Sequence, residues 1–400
     1  MQQITQFKNY FLVLLLICCA SFNTRAQGTR LLRQPTMSST HIVFIYGGDL
    51  WLTDSNGQNL VRLTSTPAVE SDPHFSPDGN SIAFTSNRSG GNSVYTIPVT
   101  GGTPKRLTYH PSGAISRGWT PDGKRVLYAS SRESAPTSIN HLWTIPKEGG
   151  PSTQVSAQWG NNGDYSPNGK QIILDKMSRW ESEFRNYRGG QNTPLIILEL
   201  NSQNETLLSN EKTIDILPVW MGETIYFLSD RDWIMNVWAY ETRSGQFKQI
   251  TKFKDTDVKW LGKGNNELII EREGYLHKLN PANGKTTQLN INVVGDFPWY
   301  ETQWEDVSRR ARSVSLSASG KRVIMEARGE IFTVPTEYGD ARNITQSSHT
   351  ADRAPIWSPE GEKIAWFSDA NGKGYSLMLA NQDGLSAPES ISIGESKMAW

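Results

Sequence analysis

The chain has 400 residues, of which 36% are apolar, and its 40 basic and 40 acidic side chains give a formal net charge of zero. This balance argues against a general nucleic-acid-binding protein, because such proteins carry a basic face. The 34 glycines and 20 prolines favour a β-rich chain with many turns over a helical one.

Residues 1–26 have the pattern of a signal peptide. Lys8 precedes an apolar run, 11–17, that is too short to span a bilayer comfortably. Thr24 and Ala26 then provide small residues at the −3 and −1 positions of a cleavage site. We therefore predict cleavage after Ala26 and export of the mature chain to the periplasm.

Both cysteines of the chain, Cys18 and Cys19, lie in this leader. The alternatives to cleavage are a retained anchor or lipidation at one of these cysteines. With cleavage, the mature protein has no stable membrane span, and disulfides, thiolate metal sites and cysteine nucleophiles are excluded from it.

A five-residue turn sequence recurs along the rest of the chain. It reads Phe-Ser-Pro-Asp-Gly at 75–79 and returns in altered spellings and in weaker copies. The bulky residue before each turn marks the repeat, at Phe75, Trp119, Tyr165, Trp220, Trp260, Leu316, Trp357 and Trp400. A period mostly in the low forties is typical of a β-propeller blade.

The spelling of the turn has a physical basis. Proline presets the second position of a type I turn, aspartate or asparagine suits the third, and glycine takes the left-handed residue that follows. Segments of alternating apolar residues flank each turn, such as 82–84 and 126–128, and two more strand-like segments follow in each unit. Four strands in the same order predict one blade per repeat, rather than unrelated hairpins.

The markers predict an all-β fold with two propellers. One additional repeat begins near residue 31, where Met37 takes the aromatic position, so that 27–292 is expected to form a six-bladed β-propeller. Residues 293–312 are interpreted as a linker, and 313–400 as the first two blades of a second, incomplete propeller. The alternative is one eight-bladed ring.

Six arginines are candidates for a substrate channel. They follow second strands or lie in a polar insertion at 177–191, so several are expected at one face of the propeller: Arg88, Arg132, Arg179, Arg185, Arg188 and Arg231. A ring of cations would attract acidic peptide ends. The alternative is that these are solvated charges or partners of turn carboxylates.

No catalytic, cofactor-binding or metal-binding residue is assigned. The histidines are scattered and show no short ligand spacing: His41, His74, His110, His141, His277 and His349. A nucleophile elbow of the form Gly-x-Ser-x-Gly is missing from the sequence. The glycine pairs at 101–102 and 149–150 lack a phosphate-loop lysine and are interpreted as hairpin turns.

Two segments resemble the tricorn protease family, particularly its exported bacterial members. Residues 44–51, Phe-Ile-Tyr-Gly-Gly-Asp-Leu-Trp, resemble the opening of that family, and residues 327–335 resemble the start of its second propeller. The family has a six-bladed propeller, a seven-bladed propeller, a helical region, a PDZ-like module and a serine-protease domain. The resemblance implies that the second, incomplete propeller belongs to a seven-bladed ring.

The resemblance implies that this chain is the substrate-guiding, gating and assembly region of a serine peptidase that acts outside the cytoplasm, with peptides or unfolded polypeptide as its substrate. The nucleophilic serine, its histidine partner and the oxyanion donors would lie in a C-terminal part outside these residues, and the parent protein would be a homo-oligomer. Two other classes are weighed against it. A TolB-like scaffold would carry an α/β domain before the propeller, and a propeller lyase would need histidines clustered at the ring centre.

Overall fold

The computed structural model of the chain describes residues 28–134, 139–176, 186, 188–189, 192, 194–208, 213–297, 306–347, 349–370 and 374–391. The expected signal peptide, most of the insertion at 177–191 and the marker Trp400 lie outside these residues.

The described residues form eight four-stranded antiparallel sheets, in which the strands lie side by side in chain order. The first three blades contain β1 Arg33–Met37, β2 His41–Tyr46, β3 Asp49–Asp54, β4 Val61–Arg62; β5 Glu70–Phe75, β6 Ser81–Ser86, β7 Ser93–Pro98, β8 Lys105–Arg106; and β9 Ile115–Trp119, β10 Arg125–Ser130, β11 His141–Pro146, β12 Thr153–Trp159. Blades 4 to 6 contain β13 Asn162–Tyr165, β14 Gln171–Asp175, β15 Ile196–Glu199, β16 Glu205–Leu207; β17 Asp215–Met221, β18 Thr224–Ser229, β19 Asn236–Glu241, β20 Phe247–Gln249; and β21 Val258–Lys263, β22 Leu268–Arg272, β23 Tyr275–Leu279, β24 Thr286–Gln288.

Blades 7 and 8 contain β25 Ala311–Leu316, β26 Arg322–Ala327, β27 Glu330–Pro335, β28 Arg342–Asn343; and β29 Arg353–Trp357, β30 Lys363–Ser368, β31 Ser376–Asn381, β32 Glu389–Ile391. A single 3-10 turn, Ser308–Arg310, is the only helical segment among the described residues. Within that part of the chain, no helix has the length and apolar character that crossing a bilayer requires.

The chain divides into two compact units between Val294 and Gly295. In the first unit the innermost strands β1, β5, β9, β13, β17 and β21 each contact the next, and β1 contacts β21, so the ring closes with six blades. In the second unit β25 of blade 7 contacts β29 of blade 8. The predicted all-β propeller fold, six blades followed by two more, is confirmed, and the eight-bladed alternative is wrong.

The segment before β1 completes the ring. The backbone N–H of Thr29 donates to the carbonyl of Ile291 at 2.8 Å, and the Thr29 hydroxyl accepts from the N–H of Val293 at 2.8 Å. Because Thr29 precedes blade 1 and Ile291 follows blade 6, these bonds join the two ends of the ring.

The marker turns have the predicted geometry. In the first of them, Gly79 has a φ of +72°, and its N–H donates to the Ser76 carbonyl at 2.8 Å. The indole N–H of the marker Trp119 donates to the carbonyl of His74 in the preceding blade at 3.0 Å. The same bond recurs in the second unit, from Trp357 to the Ser315 carbonyl at 3.1 Å. Each of these two marker tryptophans therefore links its blade to the preceding blade by a hydrogen bond.

Apolar side chains fill the space between blades. Blades 5 and 6 share the largest described cluster, which includes Ile216, Leu228, Val237, Leu261 and Ile270. Each such residue buries a branched aliphatic side chain against the next sheet, worth about 1.5–3 kcal/mol when fully covered. Since a sheet has two faces, every blade of the ring depends on both of its neighbours.

Each innermost strand of the ring that carries a proline bends at a β-bulge. The residue before the proline has a positive φ: 49° at Gln34, 51° at Asp72 and 52° at Leu217. The pairing register shifts at each of these positions. A positive φ at a residue other than glycine costs on the order of 1–3 kcal/mol, so the surroundings must hold it in place.

The preceding blade holds these bulges. The N–H of Gln34 donates to Glu271 Oε2 at 3.1 Å, that of Asp72 to Gln34 Oε1 at 2.8 Å, and that of Leu217 to Asp175 Oδ2 at 3.1 Å. In the second unit, the N–H of Ala354 donates to Glu326 Oε2 at 3.2 Å. A side-chain oxygen of one blade therefore accepts the N–H freed by the bulge of the next.

We expect Gly262→Ala to destabilise the ring where blades 6 and 1 meet. A Cβ at this position would lie 2.1 Å from the carbonyl oxygen of Pro35, a backbone atom that cannot rotate away. The free energy of unfolding should fall by about 1–3 kcal/mol, as for other overpacked sites. Urea denaturation followed by tryptophan fluorescence measures it.

Gly91→Ala is the matched control, since a Cβ there meets nothing within 4 Å and the residue has no positive φ. It should change the unfolding free energy by less than about 0.5 kcal/mol. Equal stability of the two variants would contradict the close contact between blades 6 and 1.

Candidate functional site at the channel mouth

A cavity of about 520 Å³ lies at the centre of the six-bladed ring, on the face that carries the marker turns. Residues of all six blades line it, among them Met37, His74, Arg117, Asp164, Trp220 and Lys263. We call this cavity the channel mouth. Concave sites lined by apolar walls and a few polar groups are where proteins most often bind ligands.

An ion pair lies in the wall of the channel mouth. Arg117 Nη1 is 2.6 Å from Asp72 Oδ1, and Arg117 Nε donates to the carbonyl of Asn161 at 2.6 Å. The two side chains are only 9% and 11% exposed. Arg117 of blade 3 therefore joins blade 2 to the start of blade 4, and its buried pairing makes it a fixed part of the wall.

Burial shifts the pKa values of His74, which lines the channel mouth, and of Asp175, which lies behind the lining residues Asn162 and Leu217. Desolvation lowers the pKa of His74 to about 4, so the imidazole is neutral at pH 7. Desolvation also raises the pKa of Asp175 to about 6, although the N–H groups of Asn162 and Leu217 donate to this carboxylate. Part of the His74 surface faces solvent, whereas Asp175 is fully buried.

A second ion pair crosses the edge of the channel mouth. Lys263 Nζ lies 2.8 Å from Asp164 Oδ2, and the same oxygen accepts the N–H of Trp220 at 2.8 Å. The side chains of the lysine and the aspartate are 45% and 22% exposed. Lys263 belongs to blade 6 and Asp164 to blade 4, so the pair reaches past blade 5.

Three of the predicted arginines lie at the other end of the strands. In each of these blades the second strand begins beside the marker turn. The arginine stands two positions after the last residue of that strand; the three are Arg88, Arg132 and Arg231. None of them is among the residues that line the channel mouth. Arg179 and Arg185 lie outside the described residues.

Arg88 and Arg231 occupy equivalent sites and pair with carboxylates of their own blade. Arg88 Nη2 lies 2.6 Å from Glu70, and Arg231 Nη2 lies 2.7 Å from Asp215. Each guanidinium also stacks over aromatic rings, those of Tyr95 at 5.1 Å and Trp238 at 5.0 Å. Burial raises the pKa of Glu70 and of Asp215 in spite of these partners.

Arg132 and Arg188 also stack on tryptophans. Arg132 lies 4.5 Å from the centre of the Trp143 ring, and Arg188 lies 4.8 Å from that of Trp233. Arg188 Nη1 is paired with the buried Asp230 at 2.8 Å. The contribution of the six arginines to a substrate channel stays a prediction.

Sequence reasoning missed the charged residues that do line the channel mouth or its wall. The signal that would have found two of them is their distance from the marker: Asp72 precedes Phe75 by three residues, and Arg117 precedes Trp119 by two. Those positions coincide with the bulges of the innermost strands. Lys263 follows its marker Trp260 by three residues, but that spacing does not identify its partner Asp164, which is 99 residues away.

The described residues contain no group of three or more histidine, cysteine, aspartate or glutamate side chains that could hold a metal ion. A second cavity, of about 560 Å³, lies between loops of blades 2 and 3. Its arginine, Arg106, already donates to Ser93 Oγ at 3.0 Å and to the Thr108 carbonyl at 2.7 Å. The channel mouth, which all six blades build, is therefore the stronger candidate site.

Comparison with known proteins identifies the ring. Residues 29–285 match the family model described as the tricorn protease N-terminal beta propeller domain. The chain belongs to the tricorn protease family. It is 27% identical over 349 residues to tricorn protease homolog 1 of Streptomyces coelicolor, a match that covers 85% of this chain and 32% of that relative. The predicted resemblance to the tricorn family is confirmed.

A solved structure has the same fold. The crystal structure of the tricorn protease superposes with a TM-score of 0.64 at 19% identity, over 91% of this chain and 36% of that one. The chain spans about a third of the length of the curated relatives it matches. A stretch of 46 residues is also 48% identical to the Tol-Pal system protein TolB of Bordetella pertussis, over 12% of this chain and 10% of TolB.

We expect Arg231→Met to destabilise the tricorn-type propeller without altering the channel mouth. The substitution leaves the Asp215 carboxylate, whose side chain is 2% exposed, without its cation, and removing one partner of a buried ion pair costs about 3–5 kcal/mol. Differential scanning calorimetry measures the loss of thermal stability.

Arg243→Met is the control, because Arg243 pairs with Glu223 at the surface and is 79% exposed. It should change stability by less than about 1 kcal/mol. If Arg231→Met were as stable as this control, the buried pair would not contribute as argued.

Proposed function

We propose that this chain is the substrate-guiding, gating and assembly region of a tricorn-like serine peptidase that degrades peptides outside the cytoplasm. The observation that carries the proposal is the channel mouth, which every blade of the ring helps to line. Its wall combines apolar side chains with fixed charges, such as the Arg117–Asp72 pair. A peptide offers complementary amide groups, apolar side chains and terminal charges.

Family membership supports the same proposal. The curated relatives are named tricorn proteases, and this chain covers about a third of their length. We place the catalytic serine, histidine and oxyanion donors in the part of the relatives that this chain does not span. The ring would then act on peptides by binding and admitting them, and the complete polypeptide would assemble as a homo-oligomer.

A scaffold for protein–protein interaction of the TolB type is the second candidate. It is favoured by the 46-residue match to TolB, which has the length of one blade. A blade-sized match reports the repeat rather than the whole protein, since blades of one architecture serve unrelated functions. The peptidase proposal rests on a match over most of the ring.

The first test is a peptidase assay of the 400-residue chain beside the complete polypeptide of which we propose it is a part. With fluorogenic tetrapeptides, the complete polypeptide should hydrolyse the peptides and react with a serine-directed fluorophosphonate, whereas this chain alone should do neither. Sedimentation of the complete polypeptide reports its assembly in the same samples. If the isolated chain hydrolyses the peptides, or if the complete polypeptide does not, the proposal that this chain binds peptides and another part cleaves them is wrong.

We also propose that the chain is exported and that the leader is removed after Ala26. The supporting observation is the pattern of the leader, with Thr24 and Ala26 at the −3 and −1 positions. Fractionation of the producing cell should recover the protein in the periplasm, and N-terminal sequencing should begin at Gln27. Ala26→Leu should block this cleavage, while Gln27→Asn should not. Recovery of the uncleaved wild-type chain from the cytoplasm would rule out export.

A further inference from the structure

The ion pair between Lys263 and Asp164 differs from the other charged contacts of the channel mouth. It links blade 6 to blade 4, which are not neighbours in the ring of six. A line between such blades passes inside the ring, on the side of blade 5. Both residues line the cavity, so the pair lies across part of its opening.

The two ends of this pair are held differently. Asp164 Oδ2 also accepts the backbone N–H of Trp220, so the carboxylate stays anchored to blade 5 when the lysine leaves. The Lys263 backbone is fixed at blade 1, since its carbonyl accepts from Thr36 Oγ1 at 3.3 Å. Its four-carbon side chain is the flexible part.

The energetics of the pair suit opening. Lys263 is 45% exposed, whereas the Arg117–Asp72 pair in the same wall is only 9% and 11% exposed. Exposed pairs contribute little to stability and weaken as salt screens them, whereas buried pairs stay closed. The closed ring does not depend on the Lys263–Asp164 pair, because contacts between neighbouring blades hold it.

We propose that the Lys263–Asp164 pair is a cross-bar of the channel mouth, and that it must open before a peptide segment enters. This inference rests on the proposed function, since it names the step that regulates peptide entry. The rate of entry is then governed by ionic strength, even for a peptide without charges.

A cysteine on the cavity wall reports entry. The reporter is His74→Cys, placed in a chain with Cys18→Ser and Cys19→Ser, which removes the two natural cysteines. The probe is an uncharged tetra-alanine amide that carries a maleimide at its N-terminus. Iodoacetamide, which is smaller than a peptide, measures the reactivity and exposure of the thiol, and an equal rate in two variants indicates that the site around the cysteine is unchanged.

In this background, Lys263→Met should speed the reaction with the peptide maleimide about 2- to 5-fold, because the methionine keeps the side-chain stem but not the charge. Raising NaCl from low to moderate concentration should speed the reaction of the chain that retains Lys263 and leave that of Lys263→Met unchanged. Iodoacetamide should react at the same rate in both.

The matched control is Lys105→Met. Lys105 is 49% exposed and pairs with Glu148 at 3.0 Å, but it lies away from the channel mouth. Its substitution should leave both rates unchanged. If Lys263→Met brings no gain in the peptide rate and NaCl does not speed the chain that retains Lys263, the cross-bar is overturned, while peptide entry itself stands.

A different result would overturn peptide entry itself. If iodoacetamide reacts but the peptide maleimide reaches the cysteine in no variant, the channel mouth does not admit peptides, and the proposed function and the cross-bar both fail. An independent measurement needs no reporter: acetylation of the Lys263 amine, read by mass spectrometry, should be faster in Asp164→Asn, while that of Lys105 is unchanged. Equal acetylation of Lys263 in the wild-type and Asp164→Asn chains would contradict the pair.

Discussion

A backbone N–H that a bulge turns out of a sheet must find an acceptor, because leaving it buried and unpaired is costly. In this ring the acceptor comes from the preceding blade. The Asp175 side chain accepts the N–H of Leu217, and the Gln34 side chain accepts that of Asp72. Where the ring closes, the Glu271 side chain accepts the N–H of Gln34. These bonds lock strained backbone in place and set the spacing of neighbouring blades. The channel mouth depends on them, since the bulges are where its wall is built.

The same constraint accounts for the unusual electrostatics of the wall. Asp175 has to lie fully buried to reach the bulge of the next blade, and desolvation therefore raises its pKa to about 6. Glu271 does the equivalent task and its pKa is raised for the same reason. A strongly shifted pKa often marks a catalytic group. Here the two carboxylates with raised pKa, Asp175 and Glu271, have a structural task, because each accepts a backbone N–H of the next blade.

Two classes of cation follow from the way a propeller is assembled. Arg88 and Arg231 leave the end of a second strand and fold back onto carboxylates and aromatic rings of their own blade. Arg117 and Lys263 start from innermost strands and reach carboxylates of other blades. Of these four, only the second class lines the channel mouth. Within this second class, the buried Arg117–Asp72 pair is a fixed part of the wall, whereas the exposed Lys263–Asp164 pair can break. This difference in burial is the basis for a gated opening.

The amino-acid sequence by itself determined the architecture, because a blade is a local unit. Four strands and their turns lie within about forty consecutive residues, and turn chemistry such as Ser76 to Gly79 is written in adjacent positions. The count of six in the first ring, the restart after it and the family all followed from that period and from two short segments. The sequence also predicted that Arg88 and Arg231 follow second strands, but it did not predict which carboxylates they pair with.

Tertiary structure alone decided which residues share the axis. Asp72 meets Arg117 across 45 positions, and Lys263 meets Asp164 across 99. Spacing from the marker places Asp72 and Arg117 within their own blades, but it does not say which charges meet, because the meeting follows from closure of the ring and from bulges that redirect individual side chains. The sequence period predicts the strands and turns within one blade. The site lies between blades, and only the folded arrangement brings its charges together.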